Sequence, residues 1–195
     1  MITAPETEMP RGVQAMRAAW PVGDESLGLL AAHLAAHRFP RKHTLVRKGT
    51  HTGRAYFIET GMTRSYWLVD GEEITTSFST EGAIVFSMDE LYYGEPSQEC
   101  VETLEEVRAY SIALRELHAL LASRLDLANW ARVIHQNEYR RLHRSHKERL
   151  TLSARLRYEA FARQFPDVCR RASLGHIASY LGITPSTLSR IRASF

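Results

Sequence analysis

One change of pattern, near residue 113, limits the folds open to this 195-residue chain more than any other feature of its sequence. Residues 43–112 consist of short β-rich runs separated by glycines, and the Asp70-Gly71 dipeptide between two runs suits a type I′ hairpin turn. Beyond Ala113 strand signals are few, and long stretches without glycine or proline have helical periodicity. The pattern predicts an α+β chain, in which an N-terminal antiparallel β-roll or jelly roll precedes a helical half.

The sequence ahead of the β-rich runs divides into two predicted parts. Residues 1–25 have the composition of a loose N-terminal leader, and residues 26–38 have the apolar stripe of a helix. This helix would open a sensor domain over residues 26–126. His33 and His37 would then lie one turn apart, a spacing that can bind a metal ion. No carboxylate or cysteine accompanies them in the sequence, so we predict surface histidines and no metal site.

A long helix is predicted over residues 127–147, which contain neither glycine nor proline. An apolar stripe beside a finished β-module needs a cover, and either a second copy of the helix or the chain's own β-module can supply it. We favour the second copy, which would make this segment the dimerisation helix of a two-fold dimer. The predicted dimer contacts are Leu127, Trp130, Ala131, Ile134 and Leu142.

The last segment, residues 148–195, has the pattern of a helix-turn-helix unit. Ala178 allows a second helix to cross closely over the first, and Gly182, four residues later, accepts the left-handed backbone of a tight turn. Thr184 as N-cap and Pro185 at the first helical position mark the start of the second helix. The alternative is a plain helical hairpin, which would not require this combination of signals.

The outer face of this predicted unit carries side chains that suit DNA. Arg190 can make a bidentate contact with a guanine, worth about 1–3 kcal/mol of discrimination. The N-terminus of the second helix can hold a phosphate group. The predicted DNA-contacting residues are Ser173, Thr184, Pro185, Ser186, Thr187, Ser189, Arg190 and Arg192. Further arginines would add attraction that does not depend on base sequence: Arg155, Arg157, Arg163, Arg170 and Arg171.

Charge is divided unevenly along the chain. Residues 1–131 contain 12 Lys and Arg against 18 Asp and Glu, whereas residues 132–195 contain 13 against 4. An acidic first part and a basic second part indicate two modules, of which the second faces a polyanion.

This order of elements resembles the Crp–Fnr family of transcription regulators, over about residues 26–195. The stretch "LVRKGTHTGRAYFIETGMTRSYWLVDGEEITTSF" is similar to the family's cyclic-nucleotide-binding β-roll, and "IASYLGITPSTLSRIR" is similar to its DNA-reading unit. The resemblance is greatest to a short bacterial subgroup that ends soon after the reading helix.

The resemblance implies a homodimer with a winged-helix-like helix-turn-helix module, which reads a near-palindromic operator in double-stranded DNA. It implies that the helix from Thr184 enters the major groove, and that Arg190 corresponds to a base-contacting arginine of the family. Pro185 and Ser186 replace an arginine and a glutamate of the best-known members, so the target sequence should differ from theirs. RNA polymerase is a further partner that the resemblance suggests.

The cyclic-nucleotide signature of the family is altered in "FSMDELYYGEPSQE", residues 86–99. In nucleotide-binding members this segment carries a glutamate for the ribose and an arginine for the phosphate, and a buried anion needs such partners. Here Met88 and Ser97 take those two places, and Glu99 puts a carboxylate close to the expected phosphate. We therefore predict that the chain does not bind cyclic AMP or cyclic GMP; another effector is left open.

Several apolar and polar side chains of the same segment could line a site for a different, apolar ligand. They are Phe86, Met88, Tyr92, Tyr93 and Ser97. The interpretation that we favour is that the large ones belong to the core. The sequence contains no catalytic constellation and no cofactor motif, so an enzyme is not predicted.

Compartment and membrane association are limited by composition. Two distant cysteines, Cys100 and Cys169, fit a reducing compartment, and no apolar run approaches the roughly 20 residues of a membrane span. We predict a cytoplasmic protein. The alternative function is a ligand-binding β-roll whose C-terminal helices dock a protein instead of DNA, and an enzyme of cupin type is disfavoured because its metal-ligand set is missing.

Overall fold

A computed structural model describes residues 11–194 of the chain. Within these residues, eight antiparallel strands form two four-stranded sheets, with the orders β1-β8-β3-β6 and β2-β7-β4-β5. The strands are β1 Ala35–Phe39, β2 Thr44–Val46, β3 Arg54–Thr60, β4 Thr63–Val69, β5 Glu72–Ser79, β6 Ile84–Val85, β7 Cys100–Thr103 and β8 Val107–Ala113. The predicted antiparallel β-roll is confirmed.

The remaining regular structure is helical. The helices are α1 Arg11–Ala19, α2 Asp24–Ala32, α3 Met88–Tyr93, α4 Leu114–Ser123, α5 Leu125–Thr151, α6 Ala154–Gln164, α7 Pro166–Arg171, α8 Leu174–Leu181 and α9 Pro185–Ala193. Helix α3 interrupts the sheets between β6 and β7, and α4 to α9 follow the last strand. None of the helices described between residues 11 and 194 is both long and apolar enough to cross a membrane.

The β4–β5 hairpin has the predicted turn. Asp70 and Gly71 both have positive φ, at 51° and 85°, and the strands pair from Val69 opposite Glu72 onwards. Two consecutive residues of positive φ are what a type I′ turn requires, and this turn matches the natural twist of the strands.

The N-terminal part differs from both predictions made for it. The leader expected over residues 1–25 contains α1, whose Val13 and Met16 are almost completely buried; residues 1–10 lie outside the described residues. The helix expected over residues 26–38 ends at Ala32, and the segment from Ala35 becomes strand β1.

The cause of the second difference is pairing with a distant strand. Ala35 to Phe39 lie opposite Ser111 to Val107 of β8, so hydrogen bonds across the sheet outweigh the helical pattern of the local sequence. His33 and His37 therefore do not share a helix. The His37 ring instead lies 2.7 Å from the Ser111 hydroxyl oxygen.

Three clusters of buried side chains hold the described part of the chain together. One fills the space between the two sheets. Another joins one sheet to α1, α2, α4 and the first half of α5, and it includes Phe57, Leu127 and Trp130. The third belongs to α6 to α9 and also takes in Met62 of the β-roll. The helical module is thus packed against the roll and not attached by α5 alone.

The burial of α5 corrects part of the dimer prediction. Leu127 and Trp130 are 1% and 4% exposed inside the protomer's own core, and Ala131 and Ile134 pack against the same cluster. These four side chains pack against the chain's own sheet and helices. This is the alternative considered above, in which the chain's own β-module covers the apolar stripe. Ala131 and Ile134 are half-buried, and Leu142 is 53% exposed on the surface.

Candidate nucleic-acid interface

Two capped helices and a left-handed turn build the candidate interface. The Ser173 hydroxyl accepts a hydrogen bond from the backbone N–H of His176 (3.1 Å) at the start of α8. Gly182 ends this helix with φ of 65°. The Thr184 hydroxyl then accepts from the N–H of Thr187 (3.2 Å) and begins α9, with Pro185 in its first turn. These caps and this turn follow from local chemistry of single residues.

The two helices are held together by a small, fully buried core. Ala178 and Leu188 are completely buried, and Ile177 and Leu181 join them in the same cluster. The backbone N–H of Ile183 donates to the carbonyl oxygen of Ala178 (3.0 Å), which closes the turn. A larger side chain at Ala178 would separate α8 from α9, so the position of α9 depends on this residue.

The outer face of α9 is open to solvent and carries no acidic residue. Arg190 and Arg192 lie in its last turn, and the Arg190 Nε atom is 3.5 Å from the carbonyl oxygen of Ser186. Thr187 is half-buried, and its hydroxyl lies 2.9 Å from that of Thr184. The exposed predicted residues are Ser173, Thr184, Pro185, Ser186, Ser189, Arg190 and Arg192.

The supporting arginines differ in how much charge they leave free. Arg171 pairs with Glu81 and Glu105 of the β-roll, and these carboxylates raise the pKa of its guanidinium. Although burial alone raises the pKa of Glu81, hydrogen bonds, foremost from Arg171, lower it to about 2. Arg170 pairs with Asp167 on the surface. The charge of Arg171 is therefore balanced by two carboxylates of its own chain. The sequence had instead predicted that this arginine would attract DNA.

The segment that resembles a nucleotide site satisfies its polar groups internally. Ser97 is completely buried, and its hydroxyl donates to the carbonyl oxygen of Glu99 (3.0 Å). The Glu90 carboxylate accepts from the backbone N–H groups of Thr52 (2.8 Å) and Gly53 (2.6 Å). Burial, and then the charge of Asp89, raise the pKa of Glu99 to about 7. An acidic, desolvated interior of this kind opposes the entry of a phosphate.

The apolar residues of this segment do not line an enclosed site. Met88, Tyr92 and Tyr93 are 46%, 45% and 74% exposed, so they are not core either, which corrects the interpretation favoured from the sequence. Phe86 is half-buried against the cluster that includes Trp130.

A contact that sequence reasoning missed links α3 to α5. The Tyr92 hydroxyl lies 2.6 Å from Nε2 of His135, whose Nδ1 is 2.6 Å from the carbonyl oxygen of Ala131. With Nδ1–H donating to that carbonyl, Nε2 accepts from the tyrosine hydroxyl. Residues 43 positions apart form this bridge, and no local pattern announces it.

The packing of α8 on strand β5 was also not predicted. Ser179 of α8 bonds to the backbone of β5, and Phe78 of β5 lies against Tyr180 with ring centroids 5.8 Å apart. A serine on an amphipathic helix gives no sequence signal for such a contact.

Comparison with known proteins agrees with this architecture. Residues 36–124 match the family model of the cyclic nucleotide-binding domain. No curated protein sequence matches the chain.

Solved structures share the fold over most of their length. CLP, the c-di-GMP responsive global regulator of Xanthomonas campestris, is 16% identical with a TM-score of 0.67, over 88% of this chain and 91% of that one. FixK2 from Bradyrhizobium japonicum is 19% identical with a TM-score of 0.71, over 83% of each chain. A chain assigned to the crp/fnr family from Eubacterium rectale is 14% identical with a TM-score of 0.69, over 89% and 83%. The resemblance noted in the sequence is confirmed in the fold.

Proposed function

We propose that this chain, which carries a cyclic nucleotide-binding domain and has the fold of the Crp–Fnr regulators, is a dimeric transcription regulator that binds DNA through α9. The observation that carries the proposal is the geometry of α8 and α9. A tightly packed scaffold presents a capped helix N-terminus and an acid-free face to solvent. A short basic helix that is packed closely on its scaffold and still exposed suits contact with a polyanion such as DNA.

The proposed reading chemistry follows from the exposed face of α9. The N–H groups in its first turn and the helix dipole attract a phosphate, which fixes the orientation of the helix. Ser186 and Ser189 present hydroxyl groups that bond to bases or phosphates. Arg190 reaches a guanine edge in the major groove and supplies the sequence preference. Arg192 adds attraction to the backbone, which weakens as salt concentration rises.

The second half of α5 is the proposed dimer face. Tyr139, Leu142 and Leu150 are 72%, 53% and 73% exposed, whereas Leu127 and Trp130 in the first half are buried within the protomer. Separations of three and eleven residues are close to whole turns of a helix with about 3.6 residues per turn, so the three exposed side chains share one side. A second copy of the helix would cover them and place the two α9 helices about 34 Å apart, one turn of DNA.

The signal that the regulator obeys is not cyclic AMP or cyclic GMP under this proposal. Met88 and Ser97 supply neither a carboxylate for a ribose nor a cation for a phosphate, and Glu99 adds a half-buried acid. The chain is proposed to act in the cytoplasm, with RNA polymerase as a partner at the promoters it regulates.

The DNA-binding experiment uses sequences selected from a random duplex pool. Wild-type protein should enrich a near-palindromic motif and bind random duplex more weakly at high salt. Arg190→Ala should reduce the preference for the motif over random duplex about 10- to 100-fold, while affinity for random duplex changes about threefold or less. Arg115→Ala, which alters an arginine 87% exposed on α4, is the matched control and should bind like wild type. Absence of binding at low salt would favour the alternative in which the helices dock a protein.

The dimer experiment measures mass by sedimentation across a range of protein concentrations. Leu142→Asp should weaken association about 100-fold, because an unpaired charge would be buried at the seam. Leu29→Asp changes a leucine that is 40% exposed on α2 and should leave association unchanged. Equal association of both variants would remove the second half of α5 as the interface.

A further inference from the structure

Strand β5 is the last strand of its sheet, and α8 covers its free edge. The backbone N–H of Thr75 donates to the Ser179 hydroxyl oxygen (2.9 Å), and this hydroxyl donates to the carbonyl oxygen of Glu73 (3.1 Å). A single side chain thus satisfies one donor and one acceptor of the strand. Edge strands expose such unpaired groups unless another element covers them.

Other contacts surround this hydroxyl and complete the docking. The Phe78 ring packs against both Tyr180 and Phe161, with centroid distances of 5.8 and 6.1 Å. Met62 of the roll is completely buried in the core of the helical module. Arg171 pairs with two acidic residues of the roll. The helical module of α6 to α9 is therefore held on the β-roll by apolar contacts, by the ion pairs of Arg171 and by the hydrogen bonds of α8.

His176, one turn before that serine, is the weak point of the docked surface. Within residues 11–194 its buried Nδ1 atom has no hydrogen-bond partner. The charged groups that face it are Arg64 of β4, Glu73 of β5, Glu102 of β7 and Arg41 between β1 and β2. Arg64 bonds to both carboxylates, and its side chain is only 3% exposed. The acids are thus already engaged and cannot fully compensate a new positive charge.

We propose that α8 is a proton-sensitive latch, which holds the helix-turn-helix module on β5 while His176 is neutral and releases it when His176 is protonated. A protonated imidazole has N–H donors at both ring nitrogens, and Nδ1 has no acceptor within the described structure. A buried cation without a partner, close to Arg64 and Arg41, is strongly unfavourable. Separation of the two modules exposes the ring to water and removes this penalty.

The direction of the pH dependence follows from proton linkage. Burial, and then the charge of Arg64, lower the pKa of His176 below 6.5 in the docked form. The undocked form therefore binds a proton more readily. Docking is complete above the ordinary histidine pKa of about 6.5 and weakens as pH falls through and below it.

The consequence for gene regulation rests on the proposed DNA-binding function. Release would allow α9 to move relative to α5. The distance between the two α9 helices of the proposed dimer would then no longer be fixed. The latch itself does not involve DNA, so its test uses the full-length protein alone.

The experiment follows hydrogen exchange of the Thr75 amide by NMR, corrected for the intrinsic rate at each pH. Between about pH 8 and pH 5.5, its protection in the wild type should fall severalfold, and by no more than about tenfold, because a single histidine with an undocked pKa of about 6.5 sets the limit. His176→Gln should keep its protection at both pH values, because no charge can form. His118→Gln alters an exposed histidine of α4 and should behave like the wild type. Ser179→Ala removes the hydroxyl and should lower protection about tenfold even at pH 8.

Two results would overturn the latch: constant protection in the wild type, or an equal loss at low pH in His176→Gln. A ring titration of His176 provides a second measurement that does not need the glutamine variant to fold. Its pKa should rise towards 6.5 in Ser179→Ala, and an unchanged value would contradict the proposal. DNA binding at pH 8 is measured separately, so loss of the proposed function and loss of the latch give different results.

Discussion

The half-buried carboxyl of Glu99 provides the sharpest quantitative test of this part of the roll. Burial, and then Asp89, raise its pKa from 4.5 to about 7. At about 1.36 kcal/mol per pH unit, that difference corresponds to about 3 kcal/mol between the two protonation states. Because the folded pKa is raised, this contribution to stability is present below pH 4.5 and is lost as pH rises to about 7.

Substitution Glu99→Gln removes the ionisation and keeps the shape of the side chain. The free energy of unfolding of the variant, relative to wild type, should therefore increase by about 2–3 kcal/mol between pH 5 and pH 8. Urea unfolding measures this free-energy difference. The protein concentration is kept fixed, because dimerisation would make the apparent stability depend on concentration. Glu95→Gln changes an exposed acid of the same segment and should show a difference close to zero at both pH values. If the Glu99→Gln difference is the same at pH 5 and pH 8, the reasoning about a desolvated, acidic interior is wrong.

Further predictions concern packing, backbone geometry and ligand choice. Leu188→Ala should lower the free energy of unfolding by about 3 kcal/mol in urea, whereas Leu156→Ala, at a residue 47% exposed, should change it by about 0.5 kcal/mol or less. Gly61→Ala would place its Cβ 2.4 Å from the Glu106 carbonyl oxygen and should yield little folded protein by circular dichroism, although Gly49→Ala, also at positive φ but in open space, should cost about 1 kcal/mol. Cyclic AMP at millimolar concentration should leave the melting temperature unchanged; a concentration-dependent rise would show binding to the native state.

The parts of the site that sequence reasoning placed correctly are those with a local cause. Thr184 and Pro185 begin a helix, and Gly182 ends one, because hydroxyl capping, a fixed φ and freedom at positive φ act within a few residues. Asp70-Gly71 makes its turn for the same kind of reason. Such signals survive in almost any tertiary context, so the helix-turn-helix and the hairpin could be predicted from the printed chain.

The wrong predictions concern apolar stripes and charges, whose partners lie far away in sequence. The helical pattern of residues 26–38 was interrupted by pairing with β8, and the stripe at Leu127 and Trp130 found its cover inside the protomer. Arg171, which was expected to attract DNA phosphates, instead forms ion pairs with two carboxylates of the roll. An apolar stripe in the sequence indicates that another surface must cover it. Only the packed chain determines which surface that is.

The sequence by itself therefore determined the order of modules, the turn chemistry and the exposed face of α9, because each depends on neighbouring residues. The tertiary structure alone decided which half of α5 stays exposed, and how α8 closes the edge of β5. In the sequence, Ser179 is an ordinary polar residue of an amphipathic helix. The fold brings it to the backbone of Thr75, 104 residues away. Contacts of this separation arise only when the core has formed, since burial and geometry, not local preference, select them.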